Sequence, residues 1–305
     1  MKKITLFFVA IMCTITLHAK GDLHTFAIEN KNGAITPETI EKAFTSNGFT
    51  LGINSEMNYP FQKQFEQTDY KVFTLMTLFH TNLSPKLLNK HPQAGAFTPM
   101  GLGIYQAKNE DTIHLSFLTS EAHAKILQIN EPLLKEIETA YLNVVKKTFK
   151  NAKYAKTKQP LVDNRKLITQ FELEIGDDWE EAQEEFEMSL ESGFEPFGFV
   201  MPAYSNLGDK IENDDSLESI YDFYVSYSIC KLEVIYTVAK TNPEAAAFAP
   251  CTTMLYKKKD EDKIVVGFPS VYNWMSSTLI DNKDALDVLQ KAQNDFEKIL
   301  KNITE

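Results

Sequence analysis

The pattern of apolar and polar residues predicts the same order of elements in both halves of the chain. A strand in which apolar and polar residues alternate opens the second half at 167–175. An amphipathic helix follows in each half; in the first half, Thr36 is expected to cap it and Gly48 to end it. After a further strand and a loop comes a long strand rich in aromatic residues, at 70–79 and again at 221–229.

The later elements of each half also correspond. A short helix, at 85–90 and 232–240, leads to a two-stranded hairpin, and a long amphipathic helix then closes the half. Strands and helices do not alternate regularly, so a doubly wound parallel sheet is not expected. The pattern predicts an α+β fold in which a mixed or antiparallel sheet is covered by helices.

A direct sequence repeat supports this duplication. Residues 91–118 align without a gap with residues 242–269, at an offset of 151. A period this long indicates two tandem domains, because solenoid repeats span only about 20–50 residues. We predict a first domain at 20–149, a basic, polar linker at 150–165 and a second domain at 166–305. The residues of the first copy that are identical in the second are Pro92, Ala94, Ala96, Phe97, Pro99, Tyr105, Lys108, Glu110, Asp111, Ile113 and Phe117.

The N-terminus has the features of a secretory signal peptide. Lys2 and Lys3 precede an apolar run at 4–17, and Ala19 is a suitable residue to cut after. The run is short for a transmembrane helix, although an uncleaved anchor is the alternative. We predict a signal peptide at 1–19 and a periplasmic or secreted protein that is not inserted in the membrane after cleavage.

Composition and charge narrow the possible partners. With 305 residues, 43% of them hydrophobic, the chain is long enough for two packed cores. Loss of Lys2 and Lys3 with the leader would take the formal net charge from −11 to −13. This charge argues against a nucleic-acid partner and against binding to an anionic membrane. We expect the two repeats to pair with each other, while homo-oligomerisation and an unidentified small ligand stay open.

The second copy has Asn242-Pro243-Glu244 and then Phe248-x-Pro250-Cys251 between Cys230 and Tyr256. This run resembles the core of the domain of unknown function 302 family. The first copy has His80 and Met100 near the positions where the second has cysteines. The resemblance implies a compact α+β domain that often self-associates, present here as two tandem copies, and it implies no agreed activity. The matching residues of the second copy are Cys230, Asn242, Pro243, Glu244, Phe248, Pro250, Cys251 and Tyr256, and the first copy keeps Pro92, Phe97, Pro99 and Tyr105.

Cys230 and Cys251 are the only cysteines after the predicted leader. One is expected to end a strand and the other to begin the next strand, one helix later. A disulfide is one interpretation in an oxidising compartment, and buried unreactive thiols are a second. A third is a redox pair, or ligands of a soft metal or of haem iron. The spacing matches neither C-x-x-C nor C-x-x-C-H.

His80 and Met100 form a second candidate pair, because imidazole and thioether suit copper or haem iron. Methionine also fills protein cores, which is the simpler interpretation of Met100. All five histidines after the leader lie in the first copy, and none has the spacing of a known metal motif. These histidines are His24, His80, His91, His114 and His123.

Other features favour no particular chemistry. Acidic residues at 177–187 lie opposite the apolar stripe of their helix, as a solvated face does. Aromatic segments at 59–75 and 197–227 either pack the cores or line an apolar ligand cleft between the copies. The chain has no P-loop, GxGxxG, GxSxG or kinase motif.

These observations favour an exported, non-enzymatic binding or interaction protein of unidentified ligand. The alternative is a redox, metal-handling or haem-handling protein that uses Cys230 and Cys251, with His80 and Met100 as further ligands. Only isolated residues support a third hypothesis, that the protein is a hydrolase. No cofactor is required by the sequence.

Overall fold

The two halves fold as an α+β structure with two antiparallel sheets, which confirms the predicted fold class. This computed structural model describes residues 21–157, 161 and 165–305. The predicted signal peptide and part of the predicted linker lie outside these residues.

The strands of the first half are β1 (Leu23–Glu29), β2 (Phe49–Glu56), β3 (Tyr70–His80), β4 (Met100–Ala107), β5 (Thr112–Leu118) and β6 (Lys153–Lys156). Those of the second half are β7 (Ile168–Glu174), β8 (Val200–Asn206), β9 (Tyr221–Cys230), β10 (Cys251–Lys258) and β11 (Lys263–Pro269). The helices of the first half are α1 (Pro37–Thr45), α2 (Asn58–Phe65), α3 (Ser84–Lys90), α4 (Ser120–Leu127) and α5 (Pro132–Thr148). Those of the second half are α6 (Trp179–Phe194), α7 (Leu207–Glu212), α8 (Leu232–Ala239), α9 (Tyr272–Ser277) and α10 (Lys283–Thr304). Short 3-10 helices lie at Pro92–Phe97, Glu195–Phe197 and Pro243–Phe248.

The strand order is the same in both halves. It is β2-β3-β4-β5-β1-β6 in the six-stranded sheet and, read from the other edge, β8-β9-β10-β11-β7 in the five-stranded sheet. The first five strands of one sheet therefore match the five of the other, one for one. The first sheet has one extra strand, β6, at its edge. Its four residues come from the predicted linker and pair with β1, with Lys153 opposite Ala27.

Helix boundaries follow from local chemistry. α1 begins after Thr36, whose hydroxyl accepts a hydrogen bond from the Thr39 amide at 3.3 Å. It ends at Thr45, before Gly48: the Asn47 amide bonds to the Phe44 carbonyl oxygen, three residues back, at 2.9 Å, and Gly48 then takes a positive φ of 85°.

Each core lies between a sheet and its closing helix. In the first half the ring of Phe117 on β5 meets Tyr141 on α5, at 5.2 Å between ring centroids. In the second half Phe268 on β11 meets Phe296 on α10 at 4.0 Å. The closing helices therefore bury the apolar stripes that the sequence predicts.

The two halves contact each other reciprocally. The 3-10 helix Pro243–Phe248 lies on β4, and the 3-10 helix Pro92–Phe97 lies on β10. Gly101 makes the first contact close, because a Cβ at this position would overlap the Ala247 carbonyl oxygen. At the second contact the Tyr224 hydroxyl donates to the Pro92 carbonyl oxygen.

Further hydrogen bonds join the halves at buried positions. The Ser277 hydroxyl donates to the buried Asp22 carboxylate at 2.8 Å, and the Ser116 hydroxyl donates to the Glu244 carbonyl oxygen at 3.0 Å. In the part of the chain that the structure describes, no helix is both long and apolar enough to span a bilayer.

Candidate functional site

Cys230 and Cys251 border one apolar cavity at the end of the second sheet. Cys251 opens β10 and pairs with Ile229, the residue that precedes Cys230 at the end of β9. The cavity has a volume of about 30 Å³, which is room for one or two water molecules. Both cysteines are free thiols, not a disulfide.

The cavity walls come from the sheet and from α8, α9 and α10, and they are almost entirely apolar. Gln293 on α10 also borders the cavity, but its side chain is already engaged. Its Oε1 accepts from the Val271 amide at 3.0 Å, and its Nε2 donates to Thr169 at 3.1 Å and to Glu297 at 2.7 Å. The main apolar wall residues are Phe199, Ile229, Val234, Trp274, Ala292 and Phe296.

This environment keeps both thiols protonated. Burial raises the pKa of Cys230 to about 12. Burial, and secondarily the proximity of Cys230, raises the pKa of Cys251 to about 12 as well. At neutral pH neither sulfur is therefore a thiolate, so nucleophilic or redox chemistry is disfavoured in the metal-free protein.

A larger cleft adjoins this cavity. Cys230 and Lys231 line both spaces, and the cleft has a volume of about 650 Å³. Its remaining residues come from both halves. The first half contributes Ser55, Met57, Pro60 and Gln64, and the second half contributes Pro196, Phe197, Gly198, Val200, Pro202, Leu232 and Glu233.

The first half has a smaller cavity at the corresponding place, with a volume of about 10 Å³. The offset of 151 residues that relates the two sequence copies also relates residues that line the two cavities. The corresponding pairs are Met100 and Cys251, Phe117 and Phe268, His123 and Trp274, Glu138 and Leu289, and Tyr141 and Ala292.

A buried polar network surrounds Glu138 beside the first-half cavity. His24 Nε2 lies 2.6 Å from Glu138 Oε1, which also accepts from the Ser120 amide at 3.1 Å. On the solvent side, the Lys135 ammonium group forms an ion pair with Glu138 Oε2. Burial alone would raise the pKa of Glu138, but the hydrogen bonds from His24, Lys135 and Ser120 outweigh it, so the pKa lies well below its ordinary value.

The structure places His80 and Met100 differently from the predicted pair. Met100 lines the first-half cavity, and His80 is not among the residues that line it. The His80 ring packs against Phe49, with centroids 4.9 Å apart, and its Nδ1 accepts from the Leu83 amide at 3.3 Å. His123 shares the cavity with Met100 instead, and burial lowers its pKa to about 4.

The remaining histidines are dispersed. His91 contacts Glu131 and His114 contacts Glu110, each at 3.1 Å, on separate elements. Among the described residues, no cluster of three or more histidine, cysteine, aspartate or glutamate side chains is arranged to hold a metal ion. The Glu138 network was not found from the sequence, because His24 and Glu138 are 114 residues apart and form no motif.

Comparison with known proteins identifies a domain but no activity. Residues 177–303 match the family model described as "Domain of unknown function DUF302", so the second half contains a DUF302 domain. That match lies wholly within the second half, and the assignment of the first half to the same family stays a prediction. No curated protein matches the chain.

One solved structure, "Crystal structure of uncharacterized conserved protein DUF302 from Bacillus stearothermophilus", is similar to part of the chain. The two share 16% sequence identity, and the TM-score is 0.36. The alignment covers 46% of this chain and 97% of that one.

Proposed function

We propose that the protein is an exported binding protein that holds a small, partly apolar molecule in the cleft between its two halves. The observation that carries this proposal is the cleft itself, about 650 Å³ in volume and lined by residues from both halves. Small-molecule sites in proteins are typically of about 300–1,000 Å³ and often lie between domains.

The lining of the cleft suggests the chemistry of the ligand. Met57, Phe197 and Leu232 supply apolar surface, and Ser55 and Gln64 supply hydrogen-bonding groups. This combination suits a molecule with an apolar body and a few polar atoms.

The charge of Lys231 does not require an anionic ligand. Lys231 Nζ lies 3.6 Å from the Asp295 carboxylate and 5.4 Å from the centroid of the Phe199 ring. Lys291 shares the same carboxylate at 2.5 Å, so Asp295 offsets the charge of Lys231 only in part. Glu233 adds a negative charge to the lining of the cleft, and a neutral ligand is therefore favoured over an anion.

A binding role also explains why the chain has two halves. Neither half alone supplies both walls of the cleft, so duplication of the domain creates the site. The 151-residue offset and the common strand order support a second copy of the DUF302 domain in the first half. The apolar leader at 1–19 supports export to the periplasm or medium.

The redox alternative has less support, because burial raises the pKa of both thiols to about 12. A redox pair works through a thiolate, which an apolar cavity disfavours.

A neutral apolar dye, 1-aminoanthracene, tests the proposal by fluorescence titration of the processed chain. We expect saturable binding of one dye per chain. Val200→Trp, at an exposed position that lines the cleft, should weaken binding at least tenfold. Met188→Trp, at an exposed position outside the cleft lining, is the matched control and should bind as wild type does. Non-saturable binding, or equal affinity in all three proteins, would rule out the cleft.

A further inference from the structure

We infer that the outer edge of β7 is a docking site for an extended segment of a partner protein, which adds a strand to the second sheet and carries a basic residue followed by an aromatic one. This inference goes beyond the proposed function and does not depend on it. β7 lies at the edge of the sheet opposite β8, the strand that contributes Val200 and Pro202 to the cleft.

The two halves differ at equivalent sheet edges. Leu23 on β1 pairs with Leu118, Ile168 on β7 pairs with Pro269, and the repeat offset of 151 relates Leu118 to Pro269. The outer edge of β1 is covered by β6, whereas no strand in the described part of the chain pairs with the outer edge of β7. The first half therefore shows what the edge of β7 accepts, which is a short antiparallel strand.

The backbone of β7 presents hydrogen-bonding groups at this edge. In an antiparallel pair, alternate residues bond to the neighbouring strand and the residues between them face away. The Ser270 amide donates to the Leu167 carbonyl oxygen at 3.0 Å, and the Ile175 amide donates to the Asp262 carbonyl oxygen at 3.1 Å, in one continuous register. Outward-facing backbone groups of this kind are what an added strand binds. By this alternation, they belong to Ile168, Gln170, Glu172 and Glu174.

β6 binds β1 through the equivalent backbone groups. The amide of Thr157, directly after β6, donates to the Leu23 carbonyl oxygen at 3.0 Å, and the bonded positions then alternate along β1. Leu23 is the counterpart of Ile168, the first outward-facing residue of β7. The groups that hold a strand in the first half are thus the ones that face outward in the second.

The side chain of Phe171 indicates an aromatic residue in the added strand. Its counterpart on β1 is Phe26, which is only 1% exposed and lies against Tyr154 of β6, with ring centroids 5.0 Å apart. Phe171 is only half-buried. An aromatic residue opposite Phe171 would cover it as Tyr154 covers Phe26.

The charge at the outer edge of β7 indicates a basic residue. The Glu172 side chain is 54% exposed, and its carboxylate lies 3.0 Å from Lys263 Nζ, which Glu261 also approaches at 3.8 Å. Lys258 pairs with Glu261 at 2.6 Å, and Glu174 is exposed nearby on β7. Three carboxylates thus face two ammonium groups, and this negative charge favours a basic partner segment.

The two requirements fall on adjacent residues of the partner. In β6, Lys153 lies opposite Ala27, the counterpart of Glu172, and Tyr154 follows opposite Phe26. A segment that runs from a basic to an aromatic residue, antiparallel to β7, places the first against Glu172 and the second against Phe171. The sequence of β6 itself is therefore a suitable probe.

The test uses the chain prepared without residues 1–19 and a fluorescein-labelled peptide with the sequence of residues 150–157, KNAKYAKT. Fluorescence anisotropy should show saturable binding of one peptide per chain. Hydrogen exchange followed by NMR should slow at least tenfold for the amides of Gln170 and Glu172, while the amide of Phe171, which faces β11, should change less than twofold. Absence of saturable binding, or of this alternation, would overturn the inference.

Substitutions in the protein assign the site to β7. Gln170→Pro removes an outward-facing amide and spares the bonds to β11, a place where edge strands tolerate proline. It should weaken peptide binding at least tenfold, with circular dichroism used to verify that the variant is folded. Glu172→Lys should weaken binding at least threefold. Glu184→Lys, at an exposed position of α6, makes the same change in net charge and should stay within twofold of wild type.

Changes in the peptide keep the test independent of protein folding. N-methylation at the residue that corresponds to Ala155, whose amide faces the strand it joins, should weaken binding at least tenfold. N-methylation at the residue that corresponds to Tyr154, whose amide faces away, is the matched control and should leave binding within twofold. Equal effects of the two methyl groups would contradict strand addition.

Two further outcomes would overturn the inference. Equal peptide affinity of wild type and Gln170→Pro would mean that the peptide binds elsewhere, for example in place of β6. A dimer in sedimentation velocity that Gln170→Pro dissociates would mean that a second copy of the chain occupies the edge. The cleft variant Val200→Trp should leave peptide affinity unchanged, so a failed dye experiment and a failed peptide experiment are distinguishable.

Discussion

Tyr141 on α5 and Ala292 on α10 occupy equivalent positions, 151 residues apart, on the helices that close the two halves. The Tyr141 ring borders the first-half cavity of about 10 Å³, and its hydroxyl donates to the Met100 carbonyl oxygen at 3.2 Å. At Ala292 the corresponding cavity is about 30 Å³. The difference between a large aromatic side chain and a methyl group accounts for why the larger cavity lies in the second half.

Substitution of Tyr141 should separate the packing of the ring from the hydrogen bonds of its hydroxyl. Tyr141→Ala should lower the free energy of unfolding by about 3–5 kcal/mol, because it leaves a large void in the core. Tyr141→Phe keeps the ring and should cost only about 1 kcal/mol. Urea unfolding followed by circular dichroism measures both. Equal losses for the two variants would mean that the ring does not fill the core.

The Glu138 network should make stability depend on acidity. The pKa of the Glu138 carboxyl group is lowered in the folded protein from the ordinary value of 4.5. A carboxyl group with a lowered pKa stabilises the fold above its unfolded pKa, and this contribution is lost as the pH falls toward the folded pKa. We expect the free energy of unfolding to decline below about pH 5, where the unfolded chain starts to take up the proton first.

The variant Glu138→Gln tests whether the Glu138 network causes this loss of stability in acid. The variant should lose about 2 kcal/mol or more at pH 7, because His24 and Lys135 lose their anionic partner. Its stability should also fall less steeply between pH 5 and pH 3 than that of wild type. Glu136→Gln, on the exposed face of the same helix, is the control and should follow wild type. A parallel decline in wild type and Glu138→Gln would assign the acid sensitivity to other groups.

The repeat explains how much of the fold was predictable. Gapless alignment of 91–118 with 242–269 required the same hairpin twice, and the structure has β4–β5 and β10–β11 there. The same offset, extended to the closing helices, relates Tyr141 to Ala292, so the unequal cavities had a sequence signal that the pattern of apolar residues alone does not display.

Other parts of the fold had no recognisable signal in the sequence. β6 consists of Lys153, Tyr154, Ala155 and Lys156, and it lacks an apolar face because it lies at the edge of the sheet with three residues exposed. The pairing of His24 with Glu138 depends on β1 and α5 meeting in space. Neither partner stands in a recognisable motif, so only the tertiary structure reveals the network.

Gly101 should be essential for the contact between the halves. A Cβ at Gly101 would overlap the backbone oxygen of Ala247, which belongs to the other half. Gly101→Ala should therefore force the 3-10 helix away from β4 and cost on the order of 1–3 kcal/mol. Gly176→Ala is the control, since a Cβ there meets nothing within 4 Å. Thermal unfolding that is the same for both variants would contradict the close approach.

Cys230 and Cys251 should react slowly with thiol reagents in the native protein. At pH 8 a thiol with the ordinary pKa of 9.0 is about one-tenth thiolate, whereas a pKa of about 12 leaves about one part in 10,000. Because the thiolate is the reactive form, both cysteines should react with a small disulfide reagent such as dithionitrobenzoate about 1,000-fold more slowly in the native protein than in urea.

The measurement is the rate of colour release from protein prepared without residues 1–19, before and after unfolding, without prior reduction. We expect two slow thiols in the native state and two fast thiols in urea, since both cysteines are free in the structure. Cys230→Ser should leave a single thiol that is equally slow, because Cys251 lies in the same apolar cavity. A native rate within tenfold of the unfolded rate would show that the pKa values are not raised to about 12 and would restore the redox interpretation. If no thiol appears in urea until reductant is added, the protein in solution carries the disulfide that the sequence left open.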